Sequence, residues 1–258
     1  MGPLDRFRAL MAGPEAGIPL DEAALLIAAC ARPGLDVAAW LARLDALAAG
    51  CRPSLEGLRR RLYVEHGFVG NSRDYYDPRN SFLDAVIARR TGIPISLAVI
   101  AIAVGRRAGV ELVGIGMPGH FLVRGANDRD VFLDPFSGAL VDQQGCRAIF
   151  ERVCGPEAAF TDAHLAPVGP RAICARMLAN LRAIYRRRGD PANLAWVLRC
   201  RLAIPGADPT ERVELAAALA ALGHFREAAA EIERAASERP ALAADLQARA
   251  AALRARLN

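Results

Sequence analysis

Two residues near the middle of this chain are spaced to do acid–base chemistry together. Gly125-Ala126-Asn127-Asp128-Arg129 separates two β-type runs, Phe121–Arg124 and Val131–Asp134, as a hairpin loop does. Folding the sequence about Asn127 pairs Arg124 with Asp130, Leu122 with Phe132 and His120 with Asp134. Directly opposed side chains of an antiparallel pair share one face, about 5 Å apart. An imidazole and a carboxylate should therefore meet, with the carboxylate holding the ring by one nitrogen. That is two thirds of a nucleophile–histidine–aspartate arrangement. The competing reading is a structural pair that pins the hairpin.

The other reactive residue types are scattered. Six cysteines (Cys30, Cys51, Cys146, Cys154, Cys174 and Cys200) form no C-x-x-C pair and match no zinc spacing. The four histidines (His66, His120, His164 and His224) lie far apart. No metal site is expected, and the cysteines read as small hydrophobes. All 33 basic residues are arginine, which excludes Schiff-base chemistry through lysine. Gly114-Ile115-Gly116-Met117-Pro118-Gly119 spells G-x-G-x-x-G, but a strand pattern follows it, whereas the dinucleotide fingerprint opens a helix. A glycine-rich turn and no cofactor are expected.

The elements that must position His120 and Asp134 fall into three parts. Apolar residues at helical spacing run over 21–31, 36–49 and 54–65, so residues 1–66 read as an N-terminal helical lobe. A polar, aromatic loop follows at 70–78; Asn80 or Ser81 is then placed to cap a helix, with Asp84 completing a capping box. An apolar helix over 95–108 and the strands 110–115, 121–124 and 131–134 make up a core of residues 67–166. From 167 to 258 the pattern is helical throughout. There Gly189 and Gly223 stand 34 residues apart, each between two helical runs, with Ala195 aligned to Ala229 and Pro205 and Pro240 closing the two units. That helix–turn–helix period resembles the tetratricopeptide repeat.

Composition excludes several classes. Of 258 residues, 53% are hydrophobic and 24% charged, which is the balance of a globular protein with a sizeable core. The longest uncharged stretch, Thr91 to Gly105, has 15 residues, short of the roughly 20 that span a bilayer. No apolar run precedes Asp5 and Arg6, so a cytoplasmic protein without a membrane role is expected. The formal charge is +5, but Arg59-Arg60-Arg61 and Arg186-Arg187-Arg188 fall in helical patterns without aromatic interleaving. They read as solvated helix faces, and no nucleic-acid partner is expected.

Four motifs occur in order: Asp77-Pro78-Arg79-Asn80-Ser81-Phe82; Arg89-Arg90-Thr91-Gly92-Ile93-Pro94-Ile95-Ser96-Leu97; Pro118-Gly119-His120-Phe121-Leu122-Val123-Arg124; and Leu133-Asp134-Pro135-Phe136. Together they resemble the bacterial SirB-type family, in which a transglutaminase-like domain carries a tetratricopeptide-repeat tail. The resemblance implies an α+β, papain-like core, with a helix starting at the site and packed on an antiparallel sheet that bears the histidine and the aspartate. The helical lobe and the all-α tail would flank it. His120 and Asp134 match the family's histidine and aspartate.

Transglutaminases carry Gly-x-Cys at the start of that helix, an alanine four residues after the cysteine and a glycine fifteen after it. Here Gly92-Ile93-Pro94 takes that place, with Ala98 and Gly109 keeping the register. Proline offers neither nucleophile nor proton. The expectation is therefore a degenerate, non-catalytic domain serving as a protein-binding or scaffold module. Its partner protein or peptide would be held by the repeat tail and by a cleft that includes Tyr75, Tyr76, Asp77, Arg79 and Asn80. The alternative is an amide hydrolase or acyl transferase using Ser96 with His120 and Asp134, and a cysteine such as Cys146 or Cys154 is a remoter substitute. The direction of the Ser96 hydroxyl discriminates: within hydrogen-bond reach of His120 the enzyme survives, and turned to backbone groups it does not.

Overall fold

The computed structural model describes residues 1–256. The protein forms two compact units: one spans Glu15–Met177, and the other joins Met1–Pro14 to everything from Leu178 onward. These units group the residues differently from the 1–66, 67–166 and 167–258 division. The first helix, α1 (Pro3–Ala12), belongs to the second unit, and the helices that follow it pack into the first.

In the first unit, α2 (Leu20–Ala31), α3 (Val37–Ala48) and α4 (Leu55–Arg59) precede a π-helical turn over Arg60–Glu65. After β1 (Val69–Gly70) come α5 (Leu83–Arg89), β2 (Thr91–Gly92) and α6 (Pro94–Arg107). Nearly every residue of α6 is buried, as befits a helix that is apolar on all sides. Helices α2 and α3 pack against it, as do β3 (Leu112–Ile115) and β4 (Leu122–Gly125). Arg106 and Arg107, in its last turn, both reach the buried Asp21 of α2, at 2.9 and 2.6 Å. The C-terminal end of the central helix is thus locked by charge to α2.

The main sheet adds β5 (Phe132–Asp134), β6 (Ala139–Val141) and β7 (Pro167–Val168), in the order β6-β5-β4-β3-β7 with antiparallel pairing throughout. Helix α7 (Gln143–Cys154) covers one face of it: Cys146, Ile149 and Phe150 pack with Ile115, Leu122 and Phe132. The sequence patterns left β6, β7 and α7 unassigned.

Two local expectations are corrected. Phe82, not Asn80 or Ser81, occupies the N-cap position of α5 and makes no side-chain cap. Asp84 pairs with Arg32 instead of completing a capping box. The hairpin register also differs: Val123 faces Leu133 and Arg124 faces Phe132, so the fold centres on Asp128 rather than Asn127. The loop explains the shift. Arg124 donates to the carbonyls of Gly125, Ala126 and Asp128, while the Asp128 carboxylate accepts from the amides of Asp130 and Val131.

The second unit contains α8 (Pro170–Arg188) from Leu178 onward, then α9 (Pro191–Arg201), α10 (Thr210–Ala221), α11 (Phe225–Glu238) and α12 (Ala243–Ala255). Leu198, Leu215, Leu219, Ile232 and Leu246 form its core with a row of alanines, Ala195 and Ala229 among them. Gly189 and Gly223 occupy matching turns with φ of 60° and 80°. In both, the glycine amide bonds three residues back, and the next amide bonds five back. That repeated pattern satisfies helix-end carbonyls with glycine in the left-handed region.

Candidate functional site

Strand β1 brings the start of α6 and the turn after β5 into one region. Its Gly70 amide donates to the Phe136 carbonyl at 3.0 Å, and the next amide, of Asn71, donates to the Gly92 carbonyl at 2.8 Å. Glycine is required here, because a Cβ on Gly70 would stand 2.4 Å from the Phe136 ring. Phe136 belongs to Leu133-Asp134-Pro135-Phe136, and Gly92 lies two residues before Pro94. The short parallel pairing of β1 with β2 holds this arrangement.

His120 Nε2 and Asp134 Oδ1 are 2.8 Å apart. The two residues are not directly opposed. In the observed register Asp134 falls opposite Leu122, and His120 precedes β4 in a turn closed by its amide bonding to Met117 at 3.2 Å. The shift is by two residues, so the pairing keeps its parity, and diagonal neighbours stay within reach of long and aromatic side chains. Asp134 also accepts from the Phe136 amide at 2.9 Å and from Ser137 Oγ at 2.6 Å. Burial alone would raise its pKa; the bonds from His120, Ser137 and Phe136 outweigh burial and hold it below the ordinary carboxylate value. With Nε2 bonded to a carboxylate, Nδ1 is the nitrogen left to exchange a proton.

The hydroxyl that joins this pair, on Ser137, bonds to Asp134 and not to His120. Pro94 opens α6, with Ile93 at the N-cap; the missing N–H of proline costs nothing there. Ser96 is fully buried, and its hydroxyl donates to the Asn80 carbonyl at 2.6 Å and lies 3.1 Å from both the carbonyl and the amide of Ile93. These are backbone groups, and no hydrogen bond joins Ser96 to His120 among the described residues. Among the described residues, no hydroxyl or thiol hydrogen-bonds to His120. Cys146 is buried on α7, and burial, aided by Asp142 and Asp134, pushes its thiol up to about 12. Cys154 is exposed. No group of His, Cys, Asp and Glu among the described residues is arranged to hold a metal ion.

The loop residues expected to grip a ligand divide into two sets. Asp77 is buried, caps the following turn through the Arg79 amide and pairs with the Arg79 side chain. Asn80 is fully buried; it accepts from Asn71 and donates to the carbonyls of Asp74 and Tyr75. Asp77 and Asn80 therefore build the loop from within, whereas the Arg79 side chain, 65% exposed, lies on its surface and pairs with Asp77. Tyr75 and Tyr76 keep 39% and 54% of their surface exposed. Their rings meet edge-on at 5.4 Å, Tyr75 lies 6.2 Å from Phe136, and Phe136 lies 6.4 Å from His120. An aromatic wall thus runs from Tyr76 to the imidazole.

Arg176 of α8 joins this wall. Its Nη2 donates to the His120 carbonyl at 2.7 Å, its guanidinium lies 5.5 Å from the centre of the Phe121 ring, and its charge acts on Tyr75. No sequence signal pointed to it, because it lies far along the sequence in an ordinary helical pattern.

Comparison with known proteins covers the same region. Residues 31–179 match the transglutaminase-like superfamily. A UPF0162 protein of Xylella fastidiosa is 38% identical over 183 residues, 65% of each protein. A UPF0162 protein of Pseudomonas aeruginosa is 36% identical over 182 residues, 67% of each. F-box only protein 21 of Mus musculus is 30% identical over 145 residues, which are 52% of this protein and 22% of that one. The matched stretch therefore spans just under two thirds of the Xylella relative. No solved structure matches this protein. The superfamily match takes in more than half of the residues, including Pro94, His120, Asp134 and Arg176, and the chain belongs to the transglutaminase-like superfamily.

Proposed function

We propose that this protein is a non-catalytic transglutaminase-like domain of papain-like, SirB-type architecture that grips a peptide segment of a partner protein. The helices from α8 onward serve it as a tetratricopeptide-type scaffold. One observation carries the reading: a proline begins the helix where a nucleophile would stand, and the hydroxyl nearest to it in sequence, on Ser96, is committed to backbone groups. What remains around His120 is aromatic surface and hydrogen-bonding capacity, which suits binding better than acyl transfer. The equal hydrogen bonding at Gly189 and Gly223 supports the repeat reading, and the mouse relative supports a module that operates inside longer proteins.

The protein works in the cytoplasm on this reading. No helix among the described residues is long and apolar enough to cross a membrane. A protein partner is favoured over nucleic acid because Arg59, Arg60 and Arg61 are paired with Glu56 and Glu65.

The test is to incubate the whole protein with a peptide-based acyl substrate, before and after iodoacetamide and alongside His120→Ala. The expected outcome is no turnover in any sample, with the peptide retained intact and its retention weakened by Tyr75→Ala. Turnover lost on His120→Ala would overturn the reading. Turnover lost on alkylation as well would assign the chemistry to a cysteine.

A further inference from the structure

Arg176 is an oddity among the arginines of its unit. The others that pack inward are neutralised or saturated: Arg32 by Asp84, Arg107 by Asp21 and Asp45, Arg171 by Glu15, and Arg124 by three carbonyl oxygens. Arg176 is half-buried, and among the described residues its guanidinium makes one hydrogen bond, to the His120 carbonyl, and no ion pair. An arginine carries five N–H donors in a rigid fork. Most of that fork is therefore unspent beside the residue that anchors the site.

The guanidinium lies beside the glycine-rich turn: a Cβ on Gly116 would stand 3.5 Å from Arg176 Nη1, an ordinary contact. Phe121 supports one side of the guanidinium. The Tyr75 side chain, within the guanidinium's electrostatic reach and half in solvent, makes no hydrogen bond with its hydroxyl among the described residues. Among the described residues, then, the guanidinium and the Tyr75 hydroxyl act on each other electrostatically beside the aromatic wall, and neither forms an ion pair there.

We infer that Arg176 and the Tyr75 hydroxyl form a carboxylate-binding subsite in the cleft beside His120, which takes a peptide carrying a carboxylate next to an aromatic or apolar side chain. The subsite rests on the peptide-binding reading above and specifies its ligand. A guanidinium fork matches a carboxylate bidentately, and such charge-assisted bonds are among the strong ones. Burial lowers the pKa of Arg176, against the opposing influence of Tyr75. An incoming anion would relieve the cost of keeping that charge half-desolvated without a counter-ion. The carboxylate has two sources, a peptide's C-terminus or an acidic side chain, and both present the same planar group.

Three probes separate the possibilities with the whole protein: acetyl-Ala-Phe with a free C-terminus, its C-terminal amide, and acetyl-Asp-Phe-amide, whose only carboxylate is on the side chain. Titrations are followed by NMR at the Arg176 Nε–H and the Tyr75 and His120 rings. At least one acid should bind roughly tenfold or more tightly than the amide, and the stronger of the two names the source. Arg176→Gln should abolish that preference, Arg176→Lys should keep part of it, and Tyr75→Phe should weaken the acid but not the amide. If Arg176→Gln fails to fold, the Arg176→Lys and Tyr75→Phe comparisons carry the test. Equal binding of acid and amide by the wild type would overturn the carboxylate subsite while leaving the peptide cleft standing. A preference that survives both Tyr75→Phe and Arg176→Gln would also overturn it. Failure of all three probes to shift the His120 and Tyr75 signals would sink the subsite and the cleft together.

Discussion

Ser96 Oγ donates to the Asn80 carbonyl at 2.6 Å, while the Asn80 side chain holds the carbonyls of Asp74 and Tyr75. The residue that takes up the helix serine is therefore the one that fixes the aromatic loop. Ser96→Ala leaves a buried carbonyl and the Ile93 amide short of a partner, at a cost of about 1–3 kcal/mol. Urea denaturation should show that loss as a lower midpoint. A variant as stable as the parent would mean that these bonds contribute nothing.

The His120–Asp134 pair predicts a pH dependence of stability. The pKa of Asp134 is depressed in the folded protein, so its contribution is complete above the unfolded value of about 4. It is lost as pH falls through the lower folded value. The stability gap between wild type and Asp134→Asn should accordingly be constant near neutrality and shrink in acid. Denaturation curves at a series of pH values measure it, and a gap that persists unchanged into strong acid would contradict the arrangement.

Cysteine labelling should follow burial. Cys146 and Cys174 are buried, with thiols pushed up to about 12 in both cases, whereas Cys154 is exposed. The thiolate is the reactive form. Brief treatment with iodoacetamide at neutral pH, read by mass spectrometry of peptides, should label Cys154 and spare the other two. Rapid modification of Cys146 would show a far more open helix α7.

Gly189 and Gly223 provide an internal comparison. Each has positive φ, and an added Cβ at either would meet nothing within 4 Å. Replacement by alanine should therefore cost only the backbone penalty, about 1–2 kcal/mol at each site. Thermal unfolding should fall by similar amounts in the two single variants. A large difference would mean that the turns are not equivalent.

The histidine–aspartate contact was legible because hairpin parity survives a shift of two residues, even though the loop chemistry of Arg124 and Asp128 moved the register. The start of α6 was legible through Gly92, Pro94 and Gly109, where glycine and proline constrain the backbone directly. Asn80 was not: its type suggests a ligand-gripping amide, and only the three-dimensional path of 71–75 reveals that its partners are internal. Arg176 was hidden for another reason. Its interest lies in forming no ion pair among the described residues, and a one-dimensional pattern cannot register what fails to gather around a side chain. Helix α7 and the edge strands escaped because a short amphipathic helix beside two- and three-residue strands gives too few periods to recognise.

Helix α1 packs on α9, with Phe7 and Met11 fully buried. Most of the sequence lies between these two helices. On the ribosome, α1 emerges before the first unit, and α9 only after it, so the contact between α1 and α9 forms after the first unit has been synthesised. The second unit is thus closed by an early segment and a late one, and removing α1 uncovers apolar side chains of a unit made almost entirely of later sequence.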